Sequence, residues 1–107
     1  MSYSVEYSSE AKKDRAALDI SVRKQVELAV RKVAQNPLPK NEGGYGDPLG
    51  NKHGKNLTGL CKIKLLKLGI RVVYRVIRTE DVMRVIVIAA RADDEVYEIA
   101  AKRIDQD

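Results

Sequence analysis

At 107 residues, 33% of them charged and 44% hydrophobic, the chain has room for one globular core and not for two, and it reads as a single domain over 1–107. With no Trp and no Phe, that core has to come from Val, Ile, Leu and Ala together with five tyrosines. The net charge of +5 points to an anionic partner, and its excess lies mid-chain: residues 37–70 carry six Lys/Arg against two Asp/Glu, while 1–36 carry seven against five and 71–107 seven against eight.

One cysteine rules out an intramolecular disulfide, and no metal-ligand spacing is present. The first residues have neither a basic region nor an apolar run, and no window suits a membrane span, so a cytoplasmic protein with no membrane contact is expected.

In chain order, residues 2–7 alternate strictly, with Tyr3, Val5 and Tyr7 on one side, which predicts a half-buried strand. Ser8 or Ser9 can cap a short helix over 10–18. Asp19 and Ser21 can cap a second helix from Val22 to about Gln35. Its Val22, Val26, Ala29, Val30 and Val33 form one apolar face, and Pro37 disfavours helical geometry at Asn36. Residues 37–56 hold all three prolines and five of the seven glycines, and predict a long loop. Within it, residues 50–56 resemble a phosphate-binding loop only superficially. The glycine spacing is one residue short, and Asn56 stands where Ser or Thr would bind magnesium. His53, the single histidine, reads as a solvated loop residue.

From Cys61 to Arg78 the pattern is two strands joined by a turn at Lys67-Leu68-Gly69. Lys62 and Lys64 share one face, Cys61, Ile63 and Leu65 the other; Arg71 shares a face with Val73 and Arg75. If the register sets Arg71 on the lysine face, three cations stand on one wall of the sheet. Like charges in cross-strand proximity destabilise a sheet by roughly some tenths of a kcal/mol each. Two readings follow: a seat for a polyanion, or the solvated side of an amphipathic hairpin. Cys61 falls on the apolar face and reads as a core residue. Residues 82–90 are apolar on both faces apart from Arg84, which marks a central strand. A last helix runs over 91–104 with Val96, Ile99, Ala100 and Ile104 inward and Tyr97 off that stripe, able to reach the surface. The order β-α-α-β-β-β-α defines an α+β domain with a mainly antiparallel sheet, an N-terminal helical hairpin and a C-terminal helix.

Leu57-Thr-Gly59, Lys62-Ile-Lys64, Gly69-Ile-Arg71-Val-Val-Tyr74, Arg91 and Glu95-Val-Tyr97 together resemble the RelE/ParE superfamily of bacterial toxins. The resemblance spans most of the chain, is densest from Leu57 to Ile104, and departs in the longer glycine-rich loop and the shorter link to Lys62. It implies the RelE-like fold, a cognate antitoxin partner, and a toxin of a type II toxin–antitoxin system. RelE-type members are metal-independent endoribonucleases that cleave mRNA on the ribosome, whereas ParE-type members poison DNA gyrase without catalysis. Lys62, Lys64, Arg71, Arg91 and Tyr97 coincide with the RelE-type set, so an mRNA interferase with no cofactor is the expectation. The alternatives are a ParE-like gyrase poison and an inactive relative.

RNA carries its own nucleophile, so a ribonuclease must deprotonate the 2′-oxygen, stabilise the pentavalent phosphate and protonate the leaving 5′-oxygen. Arg71 and Arg91 suit the second task, because guanidinium groups are always charged and bind oxyanions bidentately. By the resemblance Arg91 also lies near the leaving oxygen. Crowding by cations would lower the pKa of Lys62 while a bound phosphate would raise it. Tyr97 is assigned to stacking on a base or to orientation. Arg75, Arg78, Lys67 and Arg84 are read as solvated or structural.

Overall fold

The structure is a computed structural model that describes residues 2–50 and 57–106. Its centre is a five-stranded sheet in the order β1-β5-β4-β3-β2, with β1 (Ser4–Tyr7), β2 (Asp47–Gly50), β3 (Leu57–Leu65), β4 (Ile70–Ile77) and β5 (Val82–Ala89). β1 runs parallel to β5, and every other pair is antiparallel. Three helices cover it: α1 (Ser9–Ala16), α2 (Ile20–Ala34) and α3 (Asp93–Gln106). The α+β class and the mainly antiparallel sheet are those expected.

The helix starts follow capping chemistry. The Ser8 side chain accepts from the Ala11 N–H and opens α1. Asp19 precedes α2; its side chain accepts from the Ser21 hydroxyl and not from the helix. α1 stops at Ala16, two residues short of the expected end, and Leu18 packs on the core from the connection. On that face Val26, Val30 and Val33 of α2 and Ala11 of α1 meet Val72, Tyr74, Met83 and Val85. On the opposite face α3 sets Val96, Tyr97 and Ala100 against Leu57, Leu60, Val73 and Ile86. β5 lies between these layers, as a strand apolar on both faces apart from Arg84 requires.

Two departures shape the site. The stretch expected to be a loop contains an extra strand, β2, preceded by a 3₁₀ turn over Lys40–Glu42. Tyr74 anchors it: its buried hydroxyl donates to the Pro37 carbonyl at 2.8 Å. A Cβ on Gly46 would lie 2.6 Å from that same hydroxyl, so only glycine passes there. Pro48 is tolerated because β2 is an edge strand. Residues 51–56, with His53 and the phosphate-loop-like spacing, lie outside the described residues.

The second departure is a bulge in β5. Tyr74 pairs with Val85 but Val73 pairs with Val87, so Ile86 is the extra residue, and Ile86 and Val87 both face α3. β1 ends opposite Val85, which leaves the rest of the outer edge of β5 without a strand. Side chains satisfy it: Arg103 donates to the Ile86 carbonyl at 2.9 Å, and Asp14 accepts from the Ile88 N–H at 3.1 Å.

Candidate functional site

Register decides the first question about the hairpin. Lys64 pairs with Arg71 and Lys62 with Val73, so both lysines and the arginine stand on the face that α3 covers. Three residues separate the end of β5 from the start of the helix, whose first turn lies over these cations. Asp93, its first residue, receives all three: Arg71 Nε donates to Oδ1, Lys64 Nζ lies 3.5 Å from Oδ2 and Lys62 Nζ 3.9 Å from it. Arg71 also donates from Nη1 to the Arg91 carbonyl at 2.9 Å, which pins the link between β5 and α3.

One helical turn after Asp93 comes Tyr97. Its ring is 2% exposed, packed among Leu57, Leu60 and Val73. The expectation that Tyr97 reaches the surface and stacks on a base is therefore corrected: a buried ring has no face to offer a nucleobase. Its hydroxyl accepts from Lys62 Nζ at 2.9 Å. The ammonium lies 5.7 Å from the ring centroid, near the limit for a cation–π contact, so the hydrogen bond is the contact that orients Lys62.

For Lys62 the residues alone left the acid–base balance open, and its surroundings in the fold give it a direction. Burial pulls its pKa down, but the hydrogen bond and charge of Tyr97 and the carboxylates of Asp93 and Asp47 together leave it above the ordinary value. Cation crowding does not decide the outcome, because the site has brought in carboxylates of its own. Asp47 belongs to the unexpected strand β2, where it pairs directly with Lys62. For Asp93, burial acts to raise the pKa, yet the Arg71 hydrogen bond and the charges of Lys62, Arg71 and Lys64 hold it below its usual range.

Arg91 differs from the other four. Its carbonyl belongs to the cluster, but its guanidinium is 59% exposed and pairs with the carboxylate of Glu95 at 3.3 Å. It stands at the rim of the cluster. The structure thus joins the Lys62, Lys64, Arg71 and Tyr97 side chains and leaves Arg91 beside them. Sequence reasoning missed Asp93 and Asp47. Asp93 had a signal: it precedes Tyr97 by four positions, so the two share a helix face.

Among the described residues no group of three or more His, Cys, Asp or Glu side chains comes together to hold a metal. Cys61 is 3% exposed, and burial raises its thiol above the ordinary value, as suits a core residue. No helix of the described residues is long and apolar enough to cross a membrane.

No protein-family model matches the chain. It is similar to a RelE-like toxin protein of Escherichia coli, with 26% identity over 104 residues, 97% of this chain and 99% of the relative. Among solved structures, a doubly substituted E. coli RelE toxin in its free state superposes with a TM-score of 0.75 at 30% identity, covering 97% of this chain and 99% of that one. The toxin within the intact E. coli RelBE toxin–antitoxin complex superposes at 0.64 with 27% identity, over 84% of this chain and 98% of the other. The cationic sheet wall under a C-terminal helix and these alignments define a bacterial toxin of the RelE/ParE superfamily. Within it, this chain belongs to the RelE family.

Proposed function

We propose that this protein is the toxin of a type II toxin–antitoxin pair and acts as a metal-independent endoribonuclease that cuts mRNA on the ribosome. The observation that carries the reading is the convergence of Lys62, Lys64 and Arg71 on one anion, with the Tyr97 hydroxyl held by Lys62. That anion is a carboxylate in the free protein; a phosphodiester has the same charge and similar oxygen geometry.

In the reaction, the 2′-hydroxyl gives up its proton to solvent, the 2′-oxygen attacks the adjacent phosphorus, and the bond to the 5′-oxygen breaks as that oxygen takes a proton from water, giving a 2′,3′-cyclic phosphate and a 5′-hydroxyl. Negative charge builds on the non-bridging oxygens, where Arg71 and Lys64 stabilise it. Lys62, protonated throughout the neutral range, serves as a cation oriented by Tyr97 rather than as the base. Arg91, exposed at the rim, meets the leaving oxygen. A cognate antitoxin would neutralise the toxin by covering the basic face or the last helix; the relatives in the E. coli RelBE complex are bound to an antitoxin.

Primer extension on a translated reporter mRNA tests this. The wild type should give translation-dependent cuts, and a Lys62→Met, Arg91→Ala variant should lose them. Cuts of equal strength in both would refute the assigned residues. Absence of cuts together with DNA damage on induction would instead indicate a gyrase poison, for which no feature of the site argues.

A further inference from the structure

The anion seat is not empty: Asp93 fills it. Three side chains from two strands turn to this one carboxylate, Lys62 and Lys64 from β3 and Arg71 from β4, while Asp47 of β2 flanks Lys62. A single surface ion pair would mean little. Here the carboxylate has three cationic partners, and two of them are less than a quarter exposed. The cations bring three positive charges and the carboxylates of Asp93 and Asp47 remove two, so an approaching phosphate meets a net of one.

We propose that Asp93 is a built-in competitor for the RNA phosphate: it occupies the Lys62–Lys64–Arg71 seat in the free toxin and must swing out for the scissile phosphate to enter. The proposal rests on the ribonuclease reading for the identity of the phosphate, and on the geometry alone for the competition.

The local structure permits the exchange. Asp93 is the first residue of α3, and the residue before it, Ala92, has no side-chain acceptor to cap the helix. A carboxylate leaving the cluster stays near the exposed N–H groups and positive dipole end of α3, where an acidic side chain is favoured. The displaced state therefore keeps a partner for the charge. Arg71 keeps its bond to the Arg91 carbonyl, so the link between β5 and α3 remains held while Asp93 moves.

The consequence is selectivity. Non-specific binding of free RNA to basic proteins comes largely from phosphate contacts. A seat already filled raises the threshold for such contacts, and favours RNA that is held in place by something else while the exchange occurs. Asp93 thereby suppresses attack on loose RNA more than attack on RNA presented in a fixed conformation.

The test uses wild-type protein and Asp93→Asn, with a single-stranded 2′-O-methyl RNA oligonucleotide that cannot be cleaved. Titrations at several salt concentrations should show Asp93→Asn binding about tenfold more tightly. They should also show a salt dependence steeper by about 0.7 in log–log slope for each cation freed. In the wild type, the Asp93 carboxyl 13C resonance should move towards that of a solvated carboxylate as the oligonucleotide is added. This second measurement does not depend on how the variant folds. Equal affinities and slopes, weaker binding by Asp93→Asn, or an unmoved resonance in a saturated complex would each overturn the proposal. So would failure of both proteins to bind. Cleavage assays on the same proteins separate the two claims. Tighter binding by the variant without cleavage by either protein sinks the ribonuclease and leaves the competitor standing. Cleavage with unchanged binding does the reverse.

Discussion

At Tyr97 a buried ring and a working hydroxyl belong to the same side chain, so the two have to be separated by choice of substitution. The ring fills the layer between α3 and the sheet, and truncation to alanine removes it. Tyr97→Ala should lower unfolding stability by about 3–5 kcal/mol and abolish activity for that reason alone. Tyr97→Phe keeps the packing and loses the hydroxyl with its bond to Lys62, which should change stability by about 1 kcal/mol. Urea denaturation beside cleavage assays will show whether activity falls in the phenylalanine variant while the fold is retained. Lys62 allows a second separation. Its pKa in the folded protein is raised, so its contribution to stability is complete below the ordinary value of 10.5 and lost as pH rises through the folded value. The stability difference between wild type and Lys62→Met should stay constant through neutral pH and shrink only in strong alkali. A Lys62→Arg variant should retain measurable cleavage, because the cation is preserved; a requirement for a neutral lysine would appear as loss equal to that of Lys62→Met. At this scale the positions of Lys62, Lys64 and Arg71 were legible, since strand alternation fixes faces and a hairpin register adds the rest. Their protonation was not, because it depends on Asp93 and Asp47, which arrive from a helix and an edge strand distant in sequence.

Elements hold the site through both ends of α3. Its first turn is tied to the sheet by Asp93, and its last turns by Arg103, whose guanidinium meets Asp14 of α1 at 2.6 Å and the Ile86 carbonyl at 2.9 Å. Asp14 also takes the Ile88 N–H, so one carboxylate closes the strandless edge of β5 and joins the two helical layers. Asp14→Ala leaves a partly buried guanidinium and a backbone donor without this acceptor, and should destabilise the fold by about 2 kcal/mol. Hydrogen exchange should quicken in the second half of α3 and at Ile88 before it does in α2; uniform acceleration would mean that the clamp has no local role. None of this clamp was visible beforehand. Helices α1, α2 and α3 and strands β1, β3, β4 and β5 were legible because each carries an apolar period or a cap. β2 carries neither: Asp47-Pro48-Leu49-Gly50 has one buried side chain, Leu49, and its pairing depends on Tyr74 and Gly46 drawing the chain inward. Long-range anchoring of that kind leaves no local pattern.

At the scale of the molecule, two regions of positive charge among the described residues have different duties. One is the α3 face of the sheet, where the cations are bound to Asp93. The other is the outer surface of α2, where Lys24, Arg31 and Lys32 are exposed on the opposite layer. The first can act on a phosphate in the site; the second can act only through the field of the protein, which speeds encounter with a polyanion and fades with salt. Replacing Lys24, Arg31 and Lys32 with glutamine removes three positive charges and takes the net from +5 to +2. Because none of the three touches the site, the rate of cleavage from a bound complex should be unchanged. Association with RNA or ribosomes should slow several-fold at low salt, and the difference should vanish as ionic strength rises. Stopped-flow association and single-turnover cleavage, each at two salt concentrations, measure these quantities separately. A fall in single-turnover rate at saturation would show that α2 contributes contacts to the productive complex. An unchanged association rate at low salt would show that the cluster beneath α3 alone accounts for the attraction, although Asp93 has already offset part of its charge.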